Sequence, residues 1–366
     1  MNEKILINAS NLHSGGGVQV ATSFISELVN NDSSYNYSLL LSSKVKGNLD
    51  SINCPLDSFL SVEVLDIYGL QGILPKFKKY FTGYSKVFTI FGPNYSFFYS
   101  RYNIVGFAQP WIIYPDNPVF NRMASIDKLK TKLKYAFQGF FFLRSDELIV
   151  ELEHVKSRLE FFFKRPPVIH VVYNCCSSVF DDKNLWSDIK SLSTNSSNAF
   201  KIGYLSRDYP HKNIDILSGV RKHLREFYNV EVDFYVTLSD FEWENKSNEF
   251  KSELNNVGEI NVSQCPVFIE SMDAMIFPSY LECFSAMPLE TLRLNKPLFA
   301  SDLPFVSDVC GEYAIYFDPS SIEDISKKIH DYLKVRNNLF NIDKSFFSKF
   351  SAASRANSYI EILNKD

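Results

Sequence analysis

Cysteine is scarce, with six in 366 residues, and no two form a Cys-x-x-Cys pair. No histidine spacing completes a zinc site either, so a structural metal core is not expected. The dinucleotide fingerprint Gly-x-Gly-x-x-Gly is missing, which argues against a nicotinamide enzyme of the common kind. No apolar run approaches the ~20 residues that span a bilayer. The opening MNEKILINAS reads as a strand and not as a signal peptide. A reducing, cytoplasmic setting is therefore the expectation. A net charge of −4 argues against a general nucleic-acid binder, and no repeat recurs at solenoid periods.

What is present is ample core material. Apolar residues make up 45% of the chain and phenylalanine alone numbers 33. The length suits two domains of ordinary size. Predicted strands alternate with predicted helices throughout, which implies parallel sheets. In the first half, strands are expected at residues 4–9, 37–41, 62–65, 87–91, 104–107, 148–150 and 168–173. Residues 181–198, polar and rich in Ser and Asn, are the best linker. The second half opens with a strand at Phe200 and a helix over 214–227. A strand at 233–237 and helices over 322–333 and 346–363 follow.

Three stretches carry chemistry. The first is Met275–Pro297, MIFPSYLECFSAMPLETLRLNKP. It predicts a buried strand (Ala274 to Phe277), a turn, a short loop and a helix beginning at about Ser285. Ser285 is the expected N-cap, so free N–H groups and a partial positive charge would face an anion, phosphate above all. Glu282 and Glu290 flank that helix start. The second stretch, Asn11 to Val20, places Gly15, Gly16 and Gly17 between a strand and a helix, where a ligand can approach the backbone closely. The third is Ser206-Arg-Asp-Tyr-Pro-His-Lys-Asn213. Arg207 and Lys212, five apart on a loop after a strand, can converge on a diphosphate. The acids Asp240, Glu242 and Glu244 read as a solvated loop.

Glu-x7-Glu after a strand ending in Pro-Ser, followed by Lys-Pro and by Ala300-Ser301-Asp302-Leu303-Pro304, resembles the donor site of the retaining GT-B glycosyltransferases of family 4, bacterial surface-polysaccharide type. Cys310-Gly-Glu-Tyr-Ala-Ile-Tyr-Phe-Asp-Pro319 resembles a later pattern of the same family. The resemblance covers residues 200–320 well and 1–180 loosely. Cys175 replaces the glycine usual after the asparagine that closes the first domain. No histidine sits on the first-domain loop where many relatives carry one; Gln109 is the nearest match, with His13 beside the glycines as the alternative.

The resemblance implies an α/β GT-B fold, two Rossmann-like domains with parallel sheets facing a central cleft. The domains are expected at 1–180 and 199–344, with a C-terminal helix over 345–366 returning to the first. It implies transfer of a hexose-type sugar from a UDP-, GDP- or dTDP-sugar to a saccharide or lipid-linked saccharide. Anomeric configuration would be retained, and no cofactor is expected. Glu282, Arg207 and Lys212 are the expected catalytic residues. Glu290 would hold ribose hydroxyls, and Phe284, Ser285 and Ala286 the phosphate. Gly16 and Gly17 would line the donor from the first domain, and Gly258 and Ile260 would flank the nucleobase. Asp-x-Asp, with which many sugar transferases hold a divalent ion, occurs nowhere. Fixed charge at Arg207, Lys212 and the helix start is expected instead. Two other readings stay open: a GT-B epimerase or hydrolase in which water attacks, and a non-catalytic GT-B partner subunit.

Charge is uneven. Between Gln71 and Lys134 stand ten cations, Lys76, Lys78, Lys79, Lys86, Arg101, Arg122, Lys128, Lys130, Lys132 and Lys134, against two acids. The balance of +8 leaves −12 for the rest. Residues 75–86 interleave cations with aromatics, as suits an anionic membrane surface at the inner face of the cytoplasmic membrane. Lys128–Lys134 precede Phe137 and Phe140–Phe142, where a buried helix accounts for the aromatics equally well.

Overall fold

Runs such as ILINA, YSLLL, AMIF and LFAS are apolar at nearly every position, the pattern of strands covered on both faces. All four are buried along their whole length. The computed structural model describes residues 4–31, 34–98, 102–192, 199–335 and 342–365. The chain divides into two units. One comprises Met1–Pro115, Ala124–Cys175 and Ser348–Asp366; the other comprises Asp116–Met123 and Cys176–Phe347. The boundary thus falls at Cys175 rather than near 180, and eight residues of the first half group with the second unit.

The first unit contains β1 (Ile5–Ala9), α1 (Gly16–Asn30), β2 (Tyr37–Leu41), α2 (Ser43–Ser51), β3 (Ser61–Val64), α3 (Lys78–Phe81) and β4 (Lys86–Thr89). It continues with β5 (Tyr102–Gly106), α4 (Pro110–Ile113), α5 (Ser125–Phe142), β6 (Glu147–Val150), α6 (Glu153–Phe162) and β7 (Val168–Val171). The seven strands form one sheet in the order β3-β2-β1-β4-β5-β6-β7, and every pairing is parallel. β1 and β4 are neighbours from which the chain winds off in opposite directions. The loop after β1, holding the three glycines, therefore stands at the topological switch point, where open α/β sheets bind ligands.

The second unit holds β8 (Phe200–Tyr204), α7 (Ile216–Tyr228), β9 (Val232–Val236), α8 (Asp240–Glu244), α9 (Asn248–Glu253), β10 (Leu254–Asn256) and α10 (Cys265–Glu270). After these come β11 (Ala274–Phe277), α11 (Ala286–Arg293), β12 (Leu298–Ser301), α12 (Pro304–Cys310), β13 (Ile315–Phe317) and α13 (Ile322–Val335). The order is β10-β9-β8-β11-β12-β13, again all parallel. Here β8 and β11 frame the switch point. The fold is α/β with two Rossmann-like parallel sheets.

The last helix, α14 (Ala352–Leu363), belongs to the first unit. Tyr359 packs edge-on to Phe24 of α1 and Phe88 of β4, with centroids 4.9 and 5.2 Å away. Lys86, buried at the start of β4, donates to the carbonyls of Leu363 and Lys365. A cation there offsets the negative end of the α14 dipole. The helix is shorter than the expected 346–363, because Lys344–Phe350 coils as 3-10 turns. Ser351 then caps the true start by accepting from the N–H of Ser354. Short 3-10 turns also occupy Ser178–Asp181, Lys183–Leu185 and Lys190–Leu192 within the expected linker; its residues 193–198 lie outside the described ones.

Two glycines of the first unit give opposite expectations. A Cβ on Gly106 would come within 1.7 Å of the Ile90 carbonyl oxygen, whereas one on Gly47, inside α2, would meet nothing within 4 Å. Gly106→Ala should cost about 1–3 kcal/mol by overpacking, while Gly47→Ala should add about 0.5–1 kcal/mol through helix propensity. Urea unfolding of both variants checks the pair. A tolerated Gly106→Ala would mean that β4 and β5 are not as close as described.

Candidate active site

The loop after β11 is unusual in being buried. Ser279, Tyr280, Leu281, Glu282 and Cys283 are all shielded from solvent, so their polar groups need partners. The loop after β8 supplies them. The Tyr280 N–H donates to the His211 carbonyl at 2.8 Å. The Tyr204 hydroxyl, at the end of β8, lies 3.0 Å from the Lys212 carbonyl and 3.1 Å from the Ser279 hydroxyl. Asn213 turns the chain with φ 54°, a left-handed conformation that asparagine tolerates, and its side chain donates to the Pro319 carbonyl. Arg122 donates to the Tyr280 hydroxyl at 3.0 Å.

This arrangement brings Lys212 onto Glu282 as a largely buried ion pair. Burial alone would depress the Lys212 ammonium; the carboxylate beside it outweighs that and raises it. The ammonium also lies 5.6 Å from the centre of the Phe277 ring. His211 Nε2 stands 4.0 Å from Glu282. Burial pushes this imidazole below its usual range, so it is neutral near pH 7.

Arg207 lies on the same loop, and in the structure it does not converge with Lys212 on one point. Its Nε donates to Glu242 at 3.0 Å, and its other arm meets Glu259. Glu242 is not the solvated loop carboxylate expected of it. It accepts from the N–H groups of Asp208 and Ser239 and from the Ser239 hydroxyl, and it completes a capping box at the start of α8. Burial works to raise its pKa; these donors and Arg207 prevail and hold it at about 2.

Glu290 sits in the middle of α11, half-buried and close enough to Cys265 to affect it. Burial raises the carboxyl to about 7. Burial, and then the Glu290 charge, push the Cys265 thiol up to about 12. Ser285 occupies the N-cap position in an extended conformation, but its hydroxyl makes no capping bond. Phe284, Ser285 and Ala286 are half-buried at that helix start. Strand β10 ends at Asn256. Gly258, with φ +89°, turns the chain away, and Ile260 lies half-buried in the following loop. Gly16 and Gly17 form the first turn of α1 in the first unit, after Gly15 at φ 70°.

Sequence reasoning assigned no role to His211, Tyr204, Ser279 or Glu259. No spacing in the chain links residues 204–213 to 279–282; only the adjacency of β8 and β11 does. The basic segment 75–86 also differs from expectation. Phe77 and Phe81 are core, and Lys86 is buried under α14. Lys76 and Lys79 lay their ammonium groups over Phe77 and Tyr80. Arg101 lies outside the described residues.

The raised Glu290 pKa has a sign that can be checked. A carboxyl near 7 in the folded protein and near 4.5 unfolded favours folding in its neutral form. Its contribution is full below pH 4.5 and is lost as the pH rises to 7. Wild type should therefore lose stability relative to Glu290→Gln between pH 5 and 7.5, read from urea midpoints. An equal pH dependence of the two proteins would show that Glu290 is ionised throughout.

Comparison with known proteins gives this geometry a context. Residues 188–345 match the family described as glycosyl transferases group 1. The O-antigen chain mannosyltransferase RfbU of Salmonella typhimurium is 25% identical over 116 residues, which are 30% of this chain and 32% of that relative's length. Among solved structures, Anabaena Alr3699/HepE in complex with UDP and glucose superposes with a TM-score of 0.69 at 16% identity, covering 100% of both chains. A glycosyltransferase from Rickettsia africae gives 0.69 at 14%, also covering 100% of both. TarM of S. aureus gives 0.63 at 12%, over 99% of this chain and 100% of that one. Residues 188–345 thus match the glycosyl transferases group 1 family, in a chain whose two parallel sheets have the GT-B fold.

Proposed function

We propose that the protein is a retaining, metal-independent glycosyltransferase. It would move a hexose-type sugar from a nucleoside-diphosphate sugar to a saccharide or lipid-linked saccharide acceptor in surface polysaccharide synthesis. The observation that carries the reading is the Lys212–Glu282 pair. It places a fixed cation and a carboxylate side by side over the β8/β11 switch point, beside the start of α11. The group 1 match supports it, as do the UDP complexes of a structural relative and the named activity of RfbU.

In this reading Lys212 and the α11 start meet the diphosphate, and Arg207 leaves its carboxylates to join them. Glu282 orients the sugar and steadies positive charge developing at its anomeric carbon. The bond from that carbon to the diphosphate oxygen breaks, its electron pair leaving with the phosphate. The acceptor oxygen forms the new bond on the same face, and its proton passes to the departing diphosphate. Glu290 accepts from the ribose hydroxyls. The sequence without Asp-x-Asp motivates the metal-independent form.

Thermal shift against UDP, GDP and dTDP should single out one base, since a ligand at 100 Kd adds about 2.7 kcal/mol. Hydroxyl donors favour the charged carboxylate, so binding that nucleotide near pH 6.5 should release a proton from Glu290. Calorimetry in two buffers of different ionisation enthalpy reads the release, which Glu290→Gln should abolish. Undiminished release in that variant would remove Glu290 from the ribose.

Lys212→Ala should lower kcat on the order of 10²-fold or more, and Glu282→Gln should lower kcat more than nucleotide affinity. Proton NMR should show the product with the donor's anomeric configuration. EDTA should leave turnover intact; inhibition by EDTA that magnesium or manganese reverses would reassign the leaving-group stabiliser.

A further inference from the structure

Helix α5 is amphipathic in the wrong sense for a core helix. Ile126, Leu129, Leu133, Phe137 and Phe140 recur at spacings of three, four, four and three, which is one face of an α-helix. That face points to solvent: Ile126, Leu129 and Leu133 are 68, 60 and 63% exposed, and Phe137 and Phe140 are exposed as well. The opposite side provides the packing, through Tyr135 stacked on Trp111 and through buried Gly139 and Phe142. From Ile126 to Phe140 the stripe is about 21 Å long. A contiguous apolar strip of that size on a folded surface marks a contact with something apolar.

The charges beside it define the partner. At 100° per residue, Lys130 and Lys134 fall on one flank of the stripe and Lys132, with Lys128 further round, on the other. Asp127 is the single acid on the helix. A second copy of this chain would bring lysines against lysines. An anionic bilayer would receive the apolar residues among its acyl chains and the ammonium groups at its phosphates, the geometry of helices that lie in a membrane interface.

We infer that α5 is the docking surface of this protein for an anionic lipid bilayer. For its purpose this rests on the reading of a lipid-linked acceptor; its physical basis is separate. The aromatics of residues 75–86 are core, which leaves Lys76, Lys78 and Lys79 as auxiliary cations and α5 as the inserting element. Among the described residues no helix is long and apolar enough to cross a membrane, so contact through α5 is peripheral.

The test is flotation of the full chain with phosphatidylcholine vesicles, with and without phosphatidylglycerol. Binding should require the anionic lipid and fall sharply at about 1 M salt, where screening acts within about 3 Å. Leu129→Ser with Leu133→Ser should abolish it. Lys130→Glu with Lys134→Glu should weaken it at least fivefold per position, the loss expected from one near-surface cation. All four side chains are exposed, and unchanged circular dichroism checks the fold. Nucleotide affinity by calorimetry should stay at the wild-type value in both variants, which separates failure of this surface from failure of the donor site. No binding to anionic vesicles at low salt would overturn the inference. So would a dimer in analytical ultracentrifugation that the Leu129→Ser, Leu133→Ser variant dissolves, because it would give the stripe to a second copy.

Discussion

Two opposite charges held out of water at the end of a parallel sheet constrain much of the second unit. Desolvating Lys212 and Glu282 costs several kcal/mol per ion in a protein interior, and their attraction recovers it only when the geometry is fixed. The surroundings are built to fix it. Tyr204, Ser279 and Asn213 tie the loop after β8 to the loop after β11. Arg122 reaches across to Tyr280. Removing one member of such a pair typically costs about 3–5 kcal/mol, because the other is left buried and uncompensated. The stability of this loop pair and its chemistry therefore cannot be tuned independently.

The same sheet logic serves each unit differently. Parallel strands need crossover connections, so all loops at the C-terminal edge are free to carry side chains or bare backbone. At the switch point of the first unit the chain presents glycine, with Gly15 at positive φ and Gly16 and Gly17 opening α1. At that of the second it presents charge. Backbone N–H groups suit a ligand approached closely and without a preferred side-chain geometry. Lysine and glutamate suit a reaction in which charge moves.

How far the sequence could be read follows from which physical signals are local. Strands covered on both faces declare themselves as apolar runs, which is why Tyr37–Leu41 and Ala274–Phe277 coincide with expectation to the residue. Serine caps shorten helices that periodicity alone would extend, as at Ser351. The Ser239-x-x-Glu242 capping box is local, but the other donors to Glu242, Arg207 and Asp208, stand more than thirty residues away in the chain and leave no local signal. Helix α5 is the sharpest case. Periodicity reports that apolar residues share a face, and it is blind to whether that face looks inward or outward. Only the packing of Tyr135 against Trp111 and the exposure of Leu129 and Leu133 decide it.

The two cations of the β8 loop are not equivalent, and the difference lies in solvent. Arg207 is 44% exposed by its side chain, and its partner Glu259 is more exposed still. Pairs of that kind are screened and contribute little, commonly 0–1 kcal/mol, so an anion with better geometry can displace them. Lys212 and Glu282 expose 17 and 12% of their side chains, and water cannot substitute for either partner. Glu242 adds to the contrast. Its carboxylate keeps two backbone donors and the Ser239 hydroxyl even when Arg207 departs, so releasing the arginine leaves no orphaned charge behind. A fixed cation and a releasable one on the same loop are what a site needs if it must both hold an anionic group in place and let it go.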